Sequence, residues 1–145
     1  MRVFFDTSVL VAAMIPAHPR HEVALPWLRD AIAGRFVFLI SGHTLLELYS
    51  VLTTLPVKPR IDPETARKLI HENVESNATI AMLDASQYAY ILDDLAAQGI
   101  SGGCVYDAAI ARLASTSEAT YLLTLNAKDF RRVWPGGHGI IRGLA

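Results

Sequence analysis

Three acidic residues stand alone in long stretches free of other acidic and basic side chains: Asp6 between Arg2 and Arg20, Glu47 between Arg35 and Lys58, and Asp107 between Asp94 and Arg112. An ionised carboxylate does not settle among apolar neighbours without a partner, and no Lys or Arg lies near any of the three in the chain. If the fold brings them together, their repulsion calls for a cation, and converging carboxylates form the hard, oxygen-only donor set that suits Mg²⁺ or Mn²⁺. Softer ligands are scarce. Cys104 is the single cysteine, so there is neither an internal disulfide nor a second thiolate for zinc. His18, His21, His43, His71 and His138 show no helical pair spaced as in a zinc motif and read as surface or capping residues.

Each acid also has an ordinary explanation. Asp6 precedes an apolar helix and could cap it, although Thr7 or Ser8 would serve equally well. Glu47 is harder to dismiss, because Leu45, Leu48, Val51, Leu52 and Leu55 mark the core stripe of its helix and the other face holds Thr, Ser and Tyr rather than charges. Asp107 sits among small apolar residues in GGCVYDAAIARLA, where desolvation would raise its pKa unless a cation lay nearby. The glycine pair ahead of it lets the backbone approach a neighbour closely. In LLTLNAKDF either Asn126 or Asp129 could face such a site, and Thr124 could hydrogen-bond a carboxylate there. Asp93 and Asp94 read as a solvated face opposite a buried side of Tyr90, Ile91 and Leu95.

The elements that must position these residues follow from apolar periodicity. Residues 2–5 predict a strand, with a helix from Thr7–Ser8 to Pro16 and another between Pro19 and Gly34 carrying Val23, Trp27, Leu28 and Ile32 at helical spacing. FVFLI at 36–40 predicts a strand buried on both faces, followed by a helix from Ser41 or Gly42 to about Leu55. Asp62-Pro63 predicts a capped helix over 63–74, ahead of a third strand at 78–82. Helices follow from Asp84 to Gly99 and from Gly102-Gly103 to Ser117, then a strand at 119–125, a helical turn at 127–133 and an edge strand at 139–141. Strands alternating with helices predict a three-layer α/β/α fold with a central, mostly parallel sheet of about five strands. Ligands in such folds bind beyond the carboxyl ends of the strands, where Asp6 lies.

With 52% hydrophobic and 19% charged residues, the chain predicts one domain, 1–145, with a full core. No apolar run reaches the length of a membrane span and the N-terminus lacks a cleavage site, so a soluble, cytoplasmic protein is expected. A net charge of −1 provides no overall electrostatic footprint for nucleic acid, leaving room for a local basic rim. A second Asp two residues after the first, as an aspartyl phosphatase needs, is absent, since that residue is Ser8; a phosphate-binding glycine loop is absent too.

DTSVLVA, the lone Glu47 in TLLELYSVLT, GISGGCVYDAAIARLA and LLTLNAKDF resemble, in order, the successive motifs of PIN-domain ribonucleases, specifically the VapC toxins of toxin-antitoxin modules. The resemblance implies a parallel sheet of about five strands between helices and a magnesium-dependent endoribonuclease acting on RNA, transfer or ribosomal RNA loops both being suitable. It places Asp6, Glu47 and Asp107 as the three central acids and Asp129 as the fourth; Thr7, Ser8, Thr124 and Asn126, beside these acids in the chain, are expected in support. It also implies a small antitoxin partner and a homodimer; Tyr49, Leu52, Leu69, Ile70 and Val74 are candidates for the partner groove, with core packing the alternative use of most of them. Phosphate contacts are expected from Arg112, Lys128, Arg131 and Arg132. A non-catalytic module that keeps the acids for a structural metal is the competing expectation.

Overall fold

The computed structural model describes residues 1–144. Five strands, β1 (Arg2–Phe5), β2 (Val37–Ser41), β3 (Thr79–Ala81), β4 (Tyr121–Thr124) and β5 (Ile141–Gly143), form one sheet in the order β3-β2-β1-β4-β5. Every pairing is parallel, with Phe4 opposite Leu39 on one side and Leu122 on the other. The helices are α1 (Thr7–Met14), α2 (His21–Ile32), α3 (Gly42–Thr54), α4 (Pro63–Ile70), α5 (Ala85–Gln98), α6 (Cys104–Thr116) and α7 (Ala127–Val133). Residues 71–75 continue α4 as one π-helical turn. The expected three-layer α/β/α architecture is therefore the one observed.

The two layers follow from the pleat. Alternate side chains of a strand point to opposite faces, so Val3 and Phe5 join one core with Phe38, Ile40 and Leu123, beneath α1 to α4. Phe4, Leu39, Leu122 and Ile141 join the other, beneath α5 to α7. Both faces of β1 are dry, which explains why its sequence is continuously apolar rather than alternating.

Local signals set most boundaries. Asp62 accepts a hydrogen bond from Thr65 N at 2.8 Å with Pro63 in the first turn, and Asp84 completes a capping box with Gln87. Gly99 ends α5 in the left-handed region at φ 67°, and Gly102, at φ 81°, turns the chain toward α6. The edge strand lies at 141–143 rather than 139–141: Leu122 N–H donates to the Ile140 carbonyl, and the register runs from Leu122 opposite Ile141 to Thr124 opposite Gly143. In α2 the inward side is Ala24, Leu28 and Ala31, while Val23 and Ile32 face outward; small residues permit the close packing against α1 that a Val/Ile stripe would prevent. Tyr90 is also exposed, lying under the Arg112 guanidinium instead of in the core.

Among the described residues no helix is long and apolar enough to cross a membrane. Phe4 has no exposed surface and fills the space between the sheet and α5 to α7. Replacing it with Ala should cost about 3–5 kcal/mol, read as a lower urea midpoint with an unchanged slope.

Candidate metal centre

The strand order runs outward in both directions from the β1/β4 pair, so the chain reverses its direction of travel there and a crevice opens beyond the strand ends. Asp6 follows β1 and Thr124 ends β4 at this point. Asp6 occupies the position before α1, yet its side chain makes no capping hydrogen bond. Its Oδ2 instead accepts from Ser8 Oγ at 2.7 Å and from Thr124 Oγ1 at 2.9 Å.

Both hydroxyls are themselves fixed. Ser8 Oγ accepts from Leu125 N at 3.1 Å, and Thr124 Oγ1 accepts from Asn126 N at 2.9 Å. Each hydroxyl thus has its proton directed at Asp6 and a lone pair held by backbone. Thr7, expected to support the acid, turns away and donates to Thr44 Oγ1 at 3.0 Å, tying α1 to α3 in a buried contact. Nothing in the sequence marks Thr44 for this role, since a Thr on a helix beside core leucines carries no distinguishing pattern.

Asp6 is buried, and desolvation raises its pKa above the usual carboxylate value; the Ser8 and Thr124 hydrogen bonds and weaker backbone contacts from Thr7 and Ser8 lower it in part. Asp107, in the first turn of α6, is pushed up to about 6 by desolvation first, then by the negative charges of Asp6, Asp129 and Glu47. Glu47 on α3 is raised by partial burial and by Asp6, with His43 opposing. Asp6, Glu47 and Asp129, from three other segments, are therefore near enough to Asp107 for their charges to act on it. His43, read from sequence as a surface or capping residue, stands one turn before Glu47 with Nε2 3.5 Å from its Oε1; the i,i+4 spacing would have found it.

Between the two alternatives for the fourth acid, Asp129 is close enough to raise the Asp107 pKa. Asn126 contributes its backbone N–H to Thr124, and its exposed side chain makes no capping bond. Arg112 is removed from the site: its guanidinium lies over the Tyr90 ring, 4.0 Å from the centroid, held between α5 and α6. Lys128, Arg131 and Arg132 are exposed on α7, and Arg132 Nη1 reaches 4.0 Å from Cys104 Sγ at the start of α6. Of the expected partner-groove residues, Leu52, Ile70 and Val74 are core, because α3 and α4 pack those sides together; Tyr49 remains exposed.

Among the described residues no three His, Cys, Asp or Glu side chains stand close enough to hold a metal ion as they are. The donor chemistry nevertheless fits a hard divalent cation: Asp6, Asp129 and Glu47 raise the pKa of Asp107, Asp6 raises that of Glu47 and, among the causes acting on the raised acids, the sole basic group is His43 at Glu47. Glu47 and Asp129 sit on the solvent side.

A parallel sheet with acids gathered at its switch point is the arrangement of a PIN domain, and the chain belongs to that family, whose model matches residues 3–134. Within it the chain falls in the VapC family. It is 38% identical over 128 residues to Ribonuclease VapC40 of Mycobacterium tuberculosis, covering 88% of this chain and 87% of that protein. Ribonuclease VapC27 of the same organism is 33% identical over 123 residues, covering 85% and 83%. The solved structure of VapBC2 from Rickettsia felis, bound to a DNA fragment from its promoter, contains a similarly folded chain, with a TM-score of 0.68 over 100% of both chains at 22% identity.

The raised Asp107 pKa sets a pH dependence. Between the ordinary value of 3.8 and about 6, the folded state keeps a proton that the unfolded chain has released, so this group favours folding at low pH and the contribution is lost as pH rises through 6. Metal-free protein should therefore lose stability between about pH 4 and 7, and Asp107→Asn should flatten that slope. Thermal melts across the range, with and without Mg²⁺, test both; the Mg²⁺ stabilisation should be larger at about pH 7.5 than at about pH 5.

Proposed function

We propose that this protein is a Mg²⁺-dependent endoribonuclease, the toxin of a toxin-antitoxin module, hydrolysing phosphodiester bonds in transfer or ribosomal RNA loops. The observation that carries the reading is that burial and the charges of Asp6, Asp129 and Glu47 raise the Asp107 pKa, with Asp6 buried at the switch point and held by two oriented hydroxyls. Ribonuclease-named relatives covering most of the chain support the class of reaction.

Asp6 and Asp107 would hold the ion, with Glu47 and Asp129 completing the oxygen set; Mn²⁺ suits the same donors. When bound, the ion neutralises charge on phosphate oxygens and lowers the pKa of water. Ser8 and Thr124 keep Asp6 from rotating out of the crevice. Glu47, less buried and next to His43, is suited to orient the attacking water and receive its proton. In-line attack then leaves a 5′-phosphate and a 3′-hydroxyl. Lys128, Arg131 and Arg132 line the α7 side and would contact backbone phosphates.

A small antitoxin and a second copy of the chain are the proposed protein partners, in a cytoplasmic setting where RNA is the substrate. The similarly folded chain in the VapBC2 structure supports the first.

Purified protein incubated with structured RNA, with and without EDTA, tests the activity. Mg²⁺-dependent cleavage is expected, and Asp6→Asn should lower it by more than roughly 100-fold while circular dichroism stays unchanged. Metal binding without cleavage would instead point to a structural metal site. Replacing Lys128, Arg131 and Arg132 with Ala should reduce the salt slope of RNA binding by about 0.7 for each phosphate no longer neutralised. An unchanged slope would remove them from the interface.

A further inference from the structure

Beside the acids, between α3, the end of β3, α5 and α6, runs a groove of about 620 Å³ whose lining contains no Asp, Glu, Lys or Arg. Its exposed members include Leu46, Met82, Tyr88 and Tyr106. At the end nearest the acids, the His43 and Tyr106 rings lie parallel, with centroids 5.8 Å apart and planes 8° from one another. That separation falls within the about 4.5–7 Å of slid aromatic pairs, so each ring leaves part of its face open. Tyr106 is 60% exposed and the His43 side chain 54%.

The placement is what gives the pair meaning. Tyr106 directly precedes Asp107 on α6, and His43 precedes Glu47 by one turn on α3 with its Nε2 3.5 Å from the carboxylate. The flat aromatic surface is thus built on the same two turns that carry two of the acids. A strand of RNA offers two chemistries side by side, charged phosphates and uncharged aromatic bases. The acid cluster, once neutralised by a cation, suits a phosphate, whereas an uncharged groove with an aromatic floor suits a base face and repels nothing. Its volume lies in the range of small-ligand pockets, enough for a nucleobase.

We propose that the base of a nucleotide flanking the scissile phosphate stacks on the His43–Tyr106 pair and extends into this groove, a subsite that positions single-stranded RNA over the acids. The proposal rests on the reading of RNA as substrate. Base stacking is tolerant of sequence, so the subsite favours an unpaired nucleotide over any particular base.

The test uses Asp6→Asn protein in Mg²⁺ buffer and a single-stranded RNA octamer, with each nucleotide in turn made abasic, and measures Kd by fluorescence anisotropy. One abasic position should weaken binding by roughly 5- to 150-fold. Adding Tyr106→Ala should weaken the intact octamer by a similar factor and abolish the abasic penalty at that position, while Tyr106→Phe retains both. Abasic penalties unchanged by Tyr106→Ala, or no measurable octamer binding, would overturn the subsite. So would a Tyr106→Ala protein that binds the octamer normally but changes its sedimentation mass, which would assign the groove to a protein partner. Position-specific coupling without cleavage by the unmodified protein would sink the nuclease reading alone, and cleavage without coupling would sink the subsite alone.

Discussion

The organisation of the carboxyl edge depends on keeping one carboxylate where its charge is least welcome. Asp6 is buried among the ends of β1 and β4, and desolvation drives its pKa upward. The counterweight is a pair of hydroxyls, Ser8 and Thr124, each held by a backbone N–H from one of the two residues that follow β4. Because the donors are oriented by backbone, the carboxylate cannot rotate to solvent, and the ends of β1 and β4 are locked to one another. The compensation is incomplete, so the Asp6 pKa stays above the usual carboxylate value.

Around that fixed point the acids differ in how firmly they are held. Asp6 is rigid, and Asp107 sits in the first turn of a helix whose alanines pack against the sheet. Glu47 and Asp129 lie toward solvent on separate helices. Two firm groups and two adjustable ones suit an ion that keeps several waters and must accommodate a substrate as it arrives.

The surroundings divide by charge. Exposed basic side chains stand on α7, next to Asp129, while the groove between α3 and α6 carries aromatic and aliphatic side chains without formal charge. A polyanion with hydrophobic bases would meet cations on one side of the acids and ring faces on the other. The net charge of −1 conceals this division, because the acids of the crevice cancel the basic rim in the sum.

Much of this was legible in the chain itself. Continuous apolar strands, helix caps at Asp62 and Asp84 and the glycine stops determined a three-layer parallel fold, and the isolation of Asp6, Glu47 and Asp107 marked residues with no local partner. What tertiary structure decided were relations between segments distant in sequence. Whether Asp6 caps its helix or faces Thr124 depends on a strand 118 residues away. Asp129 is near enough to raise the Asp107 pKa because α7 packs beside α6. Arg112 is drawn to Tyr90 because helix faces are assigned by the neighbours that pack on them. The physical reason is the same in each case: periodicity and capping act over a few residues, whereas the electrostatic and packing energies that settle a side chain's direction come from whichever elements the sheet order brings alongside.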